Sequence, residues 1–383
     1  MADGQLSNTP HPTPPRTEED RLDWLRLIRS RRVGAVTFHR LMAEHGSARA
    51  ALAALPSVAR AAGVTDYSAC PVEVARDEVA KARVAGAQAL FYGGPGYPAL
   101  LMELPDAPPV LWVQGNLSLL ERPMVALVGA RNASSLGVRM ARRLAEGLGQ
   151  AGFTVVSGLA RGIDSEAHMA AMATGTVAVQ AGGVDVVYPE ENAGLAEEIR
   201  RSGLRLSEQP MGLAPQTRHF PLRNRIIAGL AHAVVVVEAA ARSGSLITAR
   251  AALDQGREVL AVPGHPFDAR ASGCNLLIRD GATLVRSPAD VLEALGQPAA
   301  VAADTGEVRE TVLPGPPPAA TPSLGDVTQI HNLILDRLGP SPLAEDQLIR
   351  DLALPAARLA PELLALELEG RIRRQPGGLL SRT

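Results

Sequence analysis

The stretch VALVGARNASSLG, residues 125 to 137, joins an apolar run to a glycine turn and a run of small polar residues. It predicts a strand, a tight turn and a helix that begins with Ser134 or Ser135 as its cap. Such a turn points backbone N–H groups and the positive end of the helix towards an anion. The stretch therefore predicts the phosphate-facing edge of an α/β sheet.

Strand-sized apolar runs alternate with helical patterns on both sides of this turn, from about residue 81 to 295. Most central runs are apolar throughout, as expected for strands that helices cover on both faces. We therefore expect an α/β fold with an extended Rossmann-like, doubly wound and mostly parallel sheet. The predicted strands cover residues 87–92, 110–114, 125–129, 153–157, 177–181, 204–207, 233–238, 259–262 and 283–285.

The regions that flank this sheet have a different composition. Residues 1–16 are polar and proline-rich and predict a disordered tail, whereas residues 17–80 predict a small all-helical domain that begins with Thr17 as a cap. Residues 296–323 are again proline-rich and predict a linker. Residues 324–383 then follow the order helix, helix, helix, hairpin, which is typical of a winged helix.

The predicted winged helix lacks the charges of a DNA-reading module. Its second helix is expected to start at Ser341 and Pro342, and its third carries Arg358 against three glutamates. We therefore favour a protein-contact or regulatory role. The wing holds the only candidates for contacts to a DNA backbone, Arg371, Arg373, Arg374 and Arg382.

The bulk composition limits the function classes. The 383 residues carry a formal net charge of −2, so any nucleic-acid binding must come from local patches. The two cysteines, Cys70 and Cys274, exclude a disulfide framework and a cysteine-rich zinc module, and they fit a cytoplasmic location. The N-terminus lacks the apolar region of a signal peptide, and no apolar run is long enough to span a membrane.

One such patch is the segment RHFPLRNRIIAGL, residues 218–230. No Asp or Glu occurs between Glu208 and Glu238, yet Arg218 and Arg223 flank the ring of Phe220. Arginines can bind phosphates while the ring stacks on a base, which is the usual equipment for a single nucleic-acid strand. The alternative is a structural role in the core, which we expect for Asn224 and Arg225.

Three more glycine loops follow predicted strands. The loop SGLARGIDSEAH (157–168) carries Gly158 and Arg161, GGVDVVYPEEN (182–192) is a second glycine loop, and a third carries Arg242, Ser243 and Gly244. Because ligands of such folds bind at the carboxyl ends of the strands, we expect these loops to converge on one crevice.

The same loops disfavour several kinds of chemistry. Arg131 replaces the second glycine of a dinucleotide fingerprint, and Ser157 and Gly158 stand where its acidic residue belongs, so NAD binding is disfavoured. Asp164 and His168 lack companions at metal-ligand spacing. Without a nucleophile elbow or a phosphate-loop lysine, a non-enzymatic binding surface with no cofactor, no metal and no catalytic residue is the simpler interpretation.

Six motifs in register carry a family resemblance: VALVGARNASSLG, SGLARGIDSEAH, GGVDVVYPEEN, FPLRNRIIAGL, SGSLITARAALDQGREVLAVPG and SGCNLLIRDGA. Together they closely resemble the bacterial DNA-processing protein family DprA, also called Smf. The resemblance implies an N-terminal domain like a sterile-alpha-motif or helix-hairpin-helix unit and a C-terminal winged helix. It also implies binding of incoming single-stranded DNA and loading of the recombinase RecA, with displacement of single-strand-binding protein, in natural transformation and recombination.

The resemblance also implies which residues act. It places the turn at 129–131 on phosphates and Arg218 and Phe220 on the strand, although alanine stands here where many relatives have serine. The full set of expected nucleic-acid contacts is Gly129, Ala130, Arg131, Asn132, Ser134, Gly158, Arg161, Arg218, Phe220, Arg223, Arg242, Ser243 and Gly244. A homodimer is implied through residues 276–285, with Leu276, Leu277, Ile278 and Leu284 at its interface.

Two other functions stay open at this level. A phosphoribohydrolase-like enzyme would use Glu238, but its PGGxGTxxE pattern is absent and GGVDVVYPEEN stands in its place. A transcription factor would need duplex binding by residues 324–383, which the acidic third helix disfavours. Contact of duplex DNA with either terminal domain is a further open expectation.

Overall fold

The structure is a computed structural model and describes residues 12–296, 327–338, 342–375 and 379–382. Residues 1–11 of the predicted tail and residues 297–323 of the predicted linker lie outside the described residues. Residues 12–16 contain no helix or strand. None of the described helices is long and apolar enough to cross a membrane.

Four helices form the N-terminal part of the described chain: α1 (Glu18–Arg29), α2 (Ala35–His45), α3 (Ala48–Ala61) and α4 (Val72–Ala85). Thr17 caps α1 in a capping box with Asp20, as the sequence predicts. The carboxylate of Glu78 on α4 accepts hydrogen bonds from Arg29 at 2.8 and 2.9 Å and from the indole of Trp112 at 2.6 Å. Because Trp112 belongs to the central sheet, this buried pair joins the helices to the sheet.

The nine predicted strands form one sheet in the order β1-β2-β6-β5-β4-β3-β7-β8-β9. Neighbours pair in parallel except for β1 with β2 and β2 with β6, which confirms the mostly parallel sheet. The strands are β1 (Gln88–Phe91), β2 (Val110–Gly115), β3 (Met124–Gly129), β4 (Thr154–Ser157), β5 (Thr176–Val179), β6 (Leu204–Ser207), β7 (Ala233–Glu238), β8 (Glu258–Ala261) and β9 (Thr283–Leu284).

Helices cover both faces of this sheet. On β3, Val125 and Leu127 face one apolar cluster while Ala126 and Val128 face another, as a doubly covered strand requires. The helices are α5 (Ala99–Met102), α6 (Ser135–Gln150), α7 (Ile163–Ala171), α8 (Ala193–Ser202), α9 (His219–Leu230), α10 (Ser245–Asp254), α11 (Ser272–Arg279) and α12 (Pro288–Ala294).

The strand order reverses between β3 and β7. From β3 the chain builds β4, β5 and β6 on one side, and β7 starts the other side. Loops that leave two such strands at their carboxyl ends diverge to opposite faces and leave a crevice between them. The topology thus places the loops after β3 and β7 on either side of one crevice.

The C-terminal part has the winged-helix order that the sequence predicts. It consists of α13 (Val327–Arg337), β10 (Leu343–Ala344), α14 (Glu345–Leu352), α15 (Ala356–Leu368), β11 (Ile372–Gln375) and β12 (Leu379–Arg382). The predicted helix start at Pro342 is wrong, and Ser341 lies outside the described residues. Leu343 and Ala344 instead pair with β12, and the buried Leu343 side chain packs in the module's core, so a strand forms before α14 begins.

Candidate nucleic-acid interface

Two adjoining pockets lie at the carboxyl ends of the strands. The larger has a volume of about 630 Å³ and lies between the loops after β3 and β7, at the switch point of the sheet. The smaller, of about 350 Å³, extends towards Arg161 and Tyr188. Both pockets share the side chains of Arg131, Phe220 and Arg223. They form one crevice, which we call the carboxyl-end crevice.

The turn after β3 forms one wall of this crevice. The amide of Ala130 donates to the carbonyl of Glu238 on the neighbouring strand at 2.7 Å, and the carbonyl of Ala130 accepts from Ile163 at 3.2 Å. A Cβ on Gly129 would lie 2.5 Å from the side chain of Ile163, so the close packing needs glycine. The turn is therefore held rigidly while the side chains of Arg131 and Asn132 are exposed.

The helix start that follows the turn is already occupied by a protein carboxylate. Ser134 caps α6 as predicted, accepting from the amide of Gly137 at 3.0 Å. Its own amide donates to Glu238 at 3.0 Å and its hydroxyl also donates to that carboxylate. Ser134 is buried and lines a different cavity, so the structure does not bring it to the carboxyl-end crevice. Glu238 fills the place that the sequence suggested for a phosphate.

Burial affects the charge of this carboxylate. Glu238 is 8% exposed, and desolvation raises its pKa, while the hydrogen bonds from Ser134 oppose the increase. The carboxylate lines the other cavity together with Ser134, not the crevice that holds Arg131. The arrangement gives Glu238 a structural part at the start of α6.

Phe220 is the aromatic centre of the carboxyl-end crevice. The guanidinium of Arg131 lies 5.4 Å from the centre of its ring, and that of Arg223 lies 5.9 Å from it. The ring of Tyr188 is also 5.9 Å away and is half exposed. Arg131, Arg223 and Tyr188 thus all lie close to the ring of Phe220. Tyr188 is not among the contact residues that the sequence predicts. Its only sequence signal is its position in the glycine loop 182–192.

Arg223 is buried beneath this aromatic pair. Its Nη1 atom lies 4.0 Å from Oδ2 of Asp164, which also accepts from the amides of Gly158 at 3.2 Å and Ala160 at 3.3 Å. Burial lowers the pKa of Arg223 and raises that of Asp164, and each charge opposes the shift of the other. The Nε atom of Arg223 has no hydrogen-bond partner among the described residues. Arg223 is thus a buried cation that reaches both pockets.

The remaining crevice residues come from two loops. Arg161 is exposed and lies 3.5 Å from Oε1 of Glu191, which also lines the smaller pocket. Arg242, Ser243 and Gly244 line the larger pocket on the side of β7. The structure therefore brings together all the predicted contact residues except Ser134 and Arg218.

The two outer arginines of the 218–230 segment lie in different surroundings. Arg218 is exposed at the start of α9, where its Nε donates to His219 at 3.3 Å, and it does not line either pocket. Arg225 donates to Glu208 at 2.5 Å and to the carbonyl of Asp106 at 2.8 Å. Arg225 thus fixes α9 to the neighbouring loops, as the sequence predicts.

His168 is buried in the core near Asp164. Its Nε2 accepts from the amide of Leu159 at 3.3 Å, and its Nδ1 donates to Thr176 at 2.6 Å, because the Thr176 hydroxyl itself donates to Val155. Burial, with the charge of Arg223, lowers the pKa of His168 to about 3. The imidazole is therefore neutral and its position is explained by structural hydrogen bonds.

The expected dimer segment, residues 276–285, covers the end of α11 and the edge strand β9, which pairs with β8. Leu276 and Leu284 are 36% and 41% exposed, whereas Leu277 and Ile278 are half-buried against the core. Two of the four side chains are thus available at the surface of the described chain.

Comparisons with known proteins cover all three parts of the chain. Residues 88–296 match the model of the DNA recombination-mediator protein A family, residues 18–81 match a DprA-like N-terminal HHH domain, and residues 315–378 match a DprA winged helix domain. The last two matches confirm the expected types of the terminal modules.

Similar proteins and solved structures agree with these matches. The chain is 38% identical to Protein Smf of Synechocystis sp., over 74% of this chain and 77% of that protein. It is 48% identical to the DNA processing protein DprA of Streptococcus pneumoniae, over 51% of this chain and 70% of the relative.

The X-ray structure of the Streptococcus pneumoniae protein matches 54% of this chain and 73% of its own, with a TM-score of 0.52 and 46% identity. A structure of DNA processing protein A from Helicobacter pylori, described for its single-stranded DNA binding mode, matches 55% of this chain and 95% of its own. Its TM-score is 0.51 at 28% identity. The matched family model covers more than half of the 383 residues, with the sheet and crevice described above, and the chain belongs to the DNA recombination-mediator protein A family.

Proposed function

We propose that this protein binds single-stranded DNA in the carboxyl-end crevice, without a cofactor and without a covalent step. The observation that carries the proposal is the position of Phe220, whose ring centre lies 5.4 Å from the guanidinium of Arg131 and 5.9 Å from that of Arg223. The arginines would bind the phosphates, and the aromatic pair of Phe220 and Tyr188 would stack on bases. The Helicobacter pylori structure, described for single-stranded DNA binding, supports the same ligand.

The shape of the site favours a single strand over a duplex. Stacking on Phe220 requires a base that has left its own stack, and bases of a single strand do this at low cost. Five cations line the crevice, four of them from loops and one from α9. They are Arg131, Arg161, Arg223, Arg242 and Arg270. Because the whole chain is nearly neutral, this local group of charges would have to supply the attraction.

Binding of a fluorescent poly-dT oligonucleotide, followed by anisotropy, tests the proposal. We expect Arg131→Ala to weaken binding by about 1 kcal/mol or more, roughly fivefold in Kd, and to reduce the salt dependence. Phe220→Leu keeps an apolar side chain but removes the ring, and we expect it to cost about 1–3 kcal/mol.

Arg201→Ala is the matched control. Arg201 is 65% exposed at the end of α8 and precedes β6, so it lies at the amino ends of the parallel strands, away from the crevice, and this variant loses the same charge elsewhere. Equal affinities for Arg131→Ala, Phe220→Leu and Arg201→Ala would refute the proposed site.

The finer function that we propose is to shield incoming single-stranded DNA and load RecA in natural transformation and recombination, as a homodimer. The family membership supports this role, and exposed Leu276 and Leu284 support a contact between two copies. RecA-dependent strand exchange on DNA coated with single-strand-binding protein tests it. We expect the wild-type protein to stimulate exchange and Arg131→Ala to stimulate it less.

The dimer has its own test. Leu284→Arg places a charge on the exposed apolar segment, and we expect it to halve the molar mass measured by light scattering. A wild-type protein that is monomeric at micromolar concentration would refute the dimer, and an unstimulated reaction would refute the loading role.

A further inference from the structure

Arg270 is a cation of the carboxyl-end crevice that the sequence does not single out. It lies in the loop between β8 and α11 and lines the same pocket as Arg131 and Arg242. Its side chain is 20% exposed, and Asp268 accepts from its Nε at 3.2 Å. Asp268 also accepts from Nη2 at 3.4 Å, so the ion pair orients the guanidinium and leaves Nη1 and the second N–H of Nη2 to bind other groups.

The winged helix binds these two nitrogens. Nη1 of Arg270 donates to the carbonyl of Asp336 at 2.5 Å, and Nη2 donates to the carbonyl of Leu338 at 2.9 Å. Both carbonyls belong to the end of α13, where the helix dipole is negative. The end of α13 therefore presents a pair of oxygens with partial negative charge to a crevice cation.

A second contact joins the winged helix to the other wall of the crevice. Nη1 of Arg337 donates to the carbonyl of Ala133 at 3.1 Å. Ala133 directly follows the exposed side chains of Arg131 and Asn132 in the turn after β3. The end of α13 thus contacts both the loop after β3 and the loop after β8.

We infer that Arg270 is a further phosphate-binding residue of the crevice, and that docking of the winged helix and binding of a DNA strand compete for it. The inference rests on the proposed function and deepens it. The two carbonyls at the end of α13 accept hydrogen bonds from the guanidinium of Arg270, as phosphate oxygens would. A phosphate carries a full negative charge and is therefore the stronger acceptor. A strand that reaches Arg270 would therefore displace the end of α13.

The charge of the winged helix supports competition rather than a shared binding surface. Residues 327–382 carry seven acidic and seven basic side chains, so the module adds no net positive charge to the crevice. Two of its four wing arginines are paired within the module, since Arg374 pairs with Glu345 and Glu367, and Arg371 with Glu369. Docking consequently engages the guanidinium of Arg270, and the cation that it brings near the crevice, Arg337, is itself bonded to the carbonyl of Ala133.

The test uses the full chain and the same poly-dT oligonucleotide. Arg337→Ala removes the docking contact to Ala133 and leaves every crevice cation in place. We expect about three- to tenfold tighter binding, because the strand no longer has to displace a fully docked module. If the winged helix instead contributed to binding, the loss of a positive charge would weaken it, so the two models predict opposite signs.

Arg350→Ala is the matched control on the same module. Arg350 is exposed on α14 and donates to Gln347 of its own helix. We expect its affinity to stay within about twofold of wild type. An Arg337→Ala affinity equal to or weaker than wild type would overturn the competition.

A second substitution tests Arg270 itself. In the Arg337→Ala background, Arg270→Ala should weaken binding and reduce the slope of log Kd against log salt by about 0.7, the value for one phosphate of a single strand. An unchanged slope would overturn its role as a phosphate ligand. If Arg131→Ala binds poly-dT as tightly as the wild type, the proposed site is overturned as well. If Arg131→Ala weakens binding but Arg337→Ala has no effect, only this inference is overturned.

Discussion

The guanidinium of Arg223 occupies the space beside Gly158 that any other residue would fill with its Cβ atom. A Cβ built on Gly158 would lie 1.2 Å from Nη1 of Arg223 and 2.4 Å from its Cζ. The two residues are 65 positions apart in the sequence, on the loop after β4 and on α9. Because Gly158 has no side chain, the buried guanidinium of Arg223 can lie under Phe220.

Gly158→Ala tests this packing. We expect the methyl group to displace Arg223 from Asp164 and from the ring of Phe220, at a cost of about 1–3 kcal/mol in the free energy of unfolding. Binding of poly-dT should weaken in parallel. Gly194→Ala is the control because a Cβ there has nothing within 4 Å. Urea unfolding and anisotropy measure both effects, and a Gly158→Ala protein that matches Gly194→Ala in both would contradict the packing argument.

Arg218 and Arg225 should separate binding from stability. Arg225→Ala leaves the buried carboxylate of Glu208 without its cation, and we expect a loss of about 3–5 kcal/mol in the free energy of unfolding. Arg218→Ala removes an exposed cation that lies outside both pockets, so unfolding should change by less than about 0.5 kcal/mol and poly-dT binding should weaken less than in Arg131→Ala. Urea unfolding of both variants decides this, and similar stabilities would show that the assignment of Arg225 is mistaken.

Glu238→Gln should affect stability and not binding. The carboxylate of Glu238 accepts hydrogen bonds from the backbone N–H and the hydroxyl of Ser134 at the start of α6. A Gln side chain would turn its own NH₂ group towards one of these two donors, so that hydrogen bond would be lost. We expect a loss of about 1–2 kcal/mol in the free energy of unfolding. The Kd for poly-dT should stay within about twofold, since Glu238 does not line the carboxyl-end crevice. A large change in Kd at unchanged stability would assign Glu238 to the binding site.

His168 should make the protein less stable in acid. Its pKa is about 3 in the folded protein against an ordinary value of 6.5, so between these values the unfolded chain binds a proton that the folded protein does not. The free energy of unfolding should therefore fall as pH falls below 6.5, by up to about 1.4 kcal/mol per pH unit.

The comparison protein for this measurement is His168→Gln, which cannot take up the proton. Buried carboxyl groups with raised pKa values, such as Asp164, act in the opposite direction, and they contribute equally to both proteins. Urea unfolding at several pH values between 4 and 8 should thus show a difference that grows towards neutral pH. A difference that does not vary with pH would contradict the buried neutral imidazole.

Much of the local structure could be read from residue patterns. The apolar runs of β3 and β7 predict strands covered on both faces, and Ser134 predicts the cap of α6, because these signals depend on neighbours within a few residues. The start of the second winged-helix helix was predicted wrongly at Pro342. Leu343 and Ala344 pair with β12, some 36 residues later, and no local pattern reports such a partner.

The sequence by itself determined the alternation of strands and helices, the glycine turns and the basic segment around Phe220, since each follows from short-range periodicity and composition. Only the tertiary structure decided which cations and rings meet. It placed Glu238 against Ser134, 104 positions away, and so removed a predicted phosphate seat. It also brought Tyr188 to Phe220 and the end of α13 to Arg270. The physical reason is that strand order and helix packing set these distances, and both depend on contacts between residues far apart in the chain.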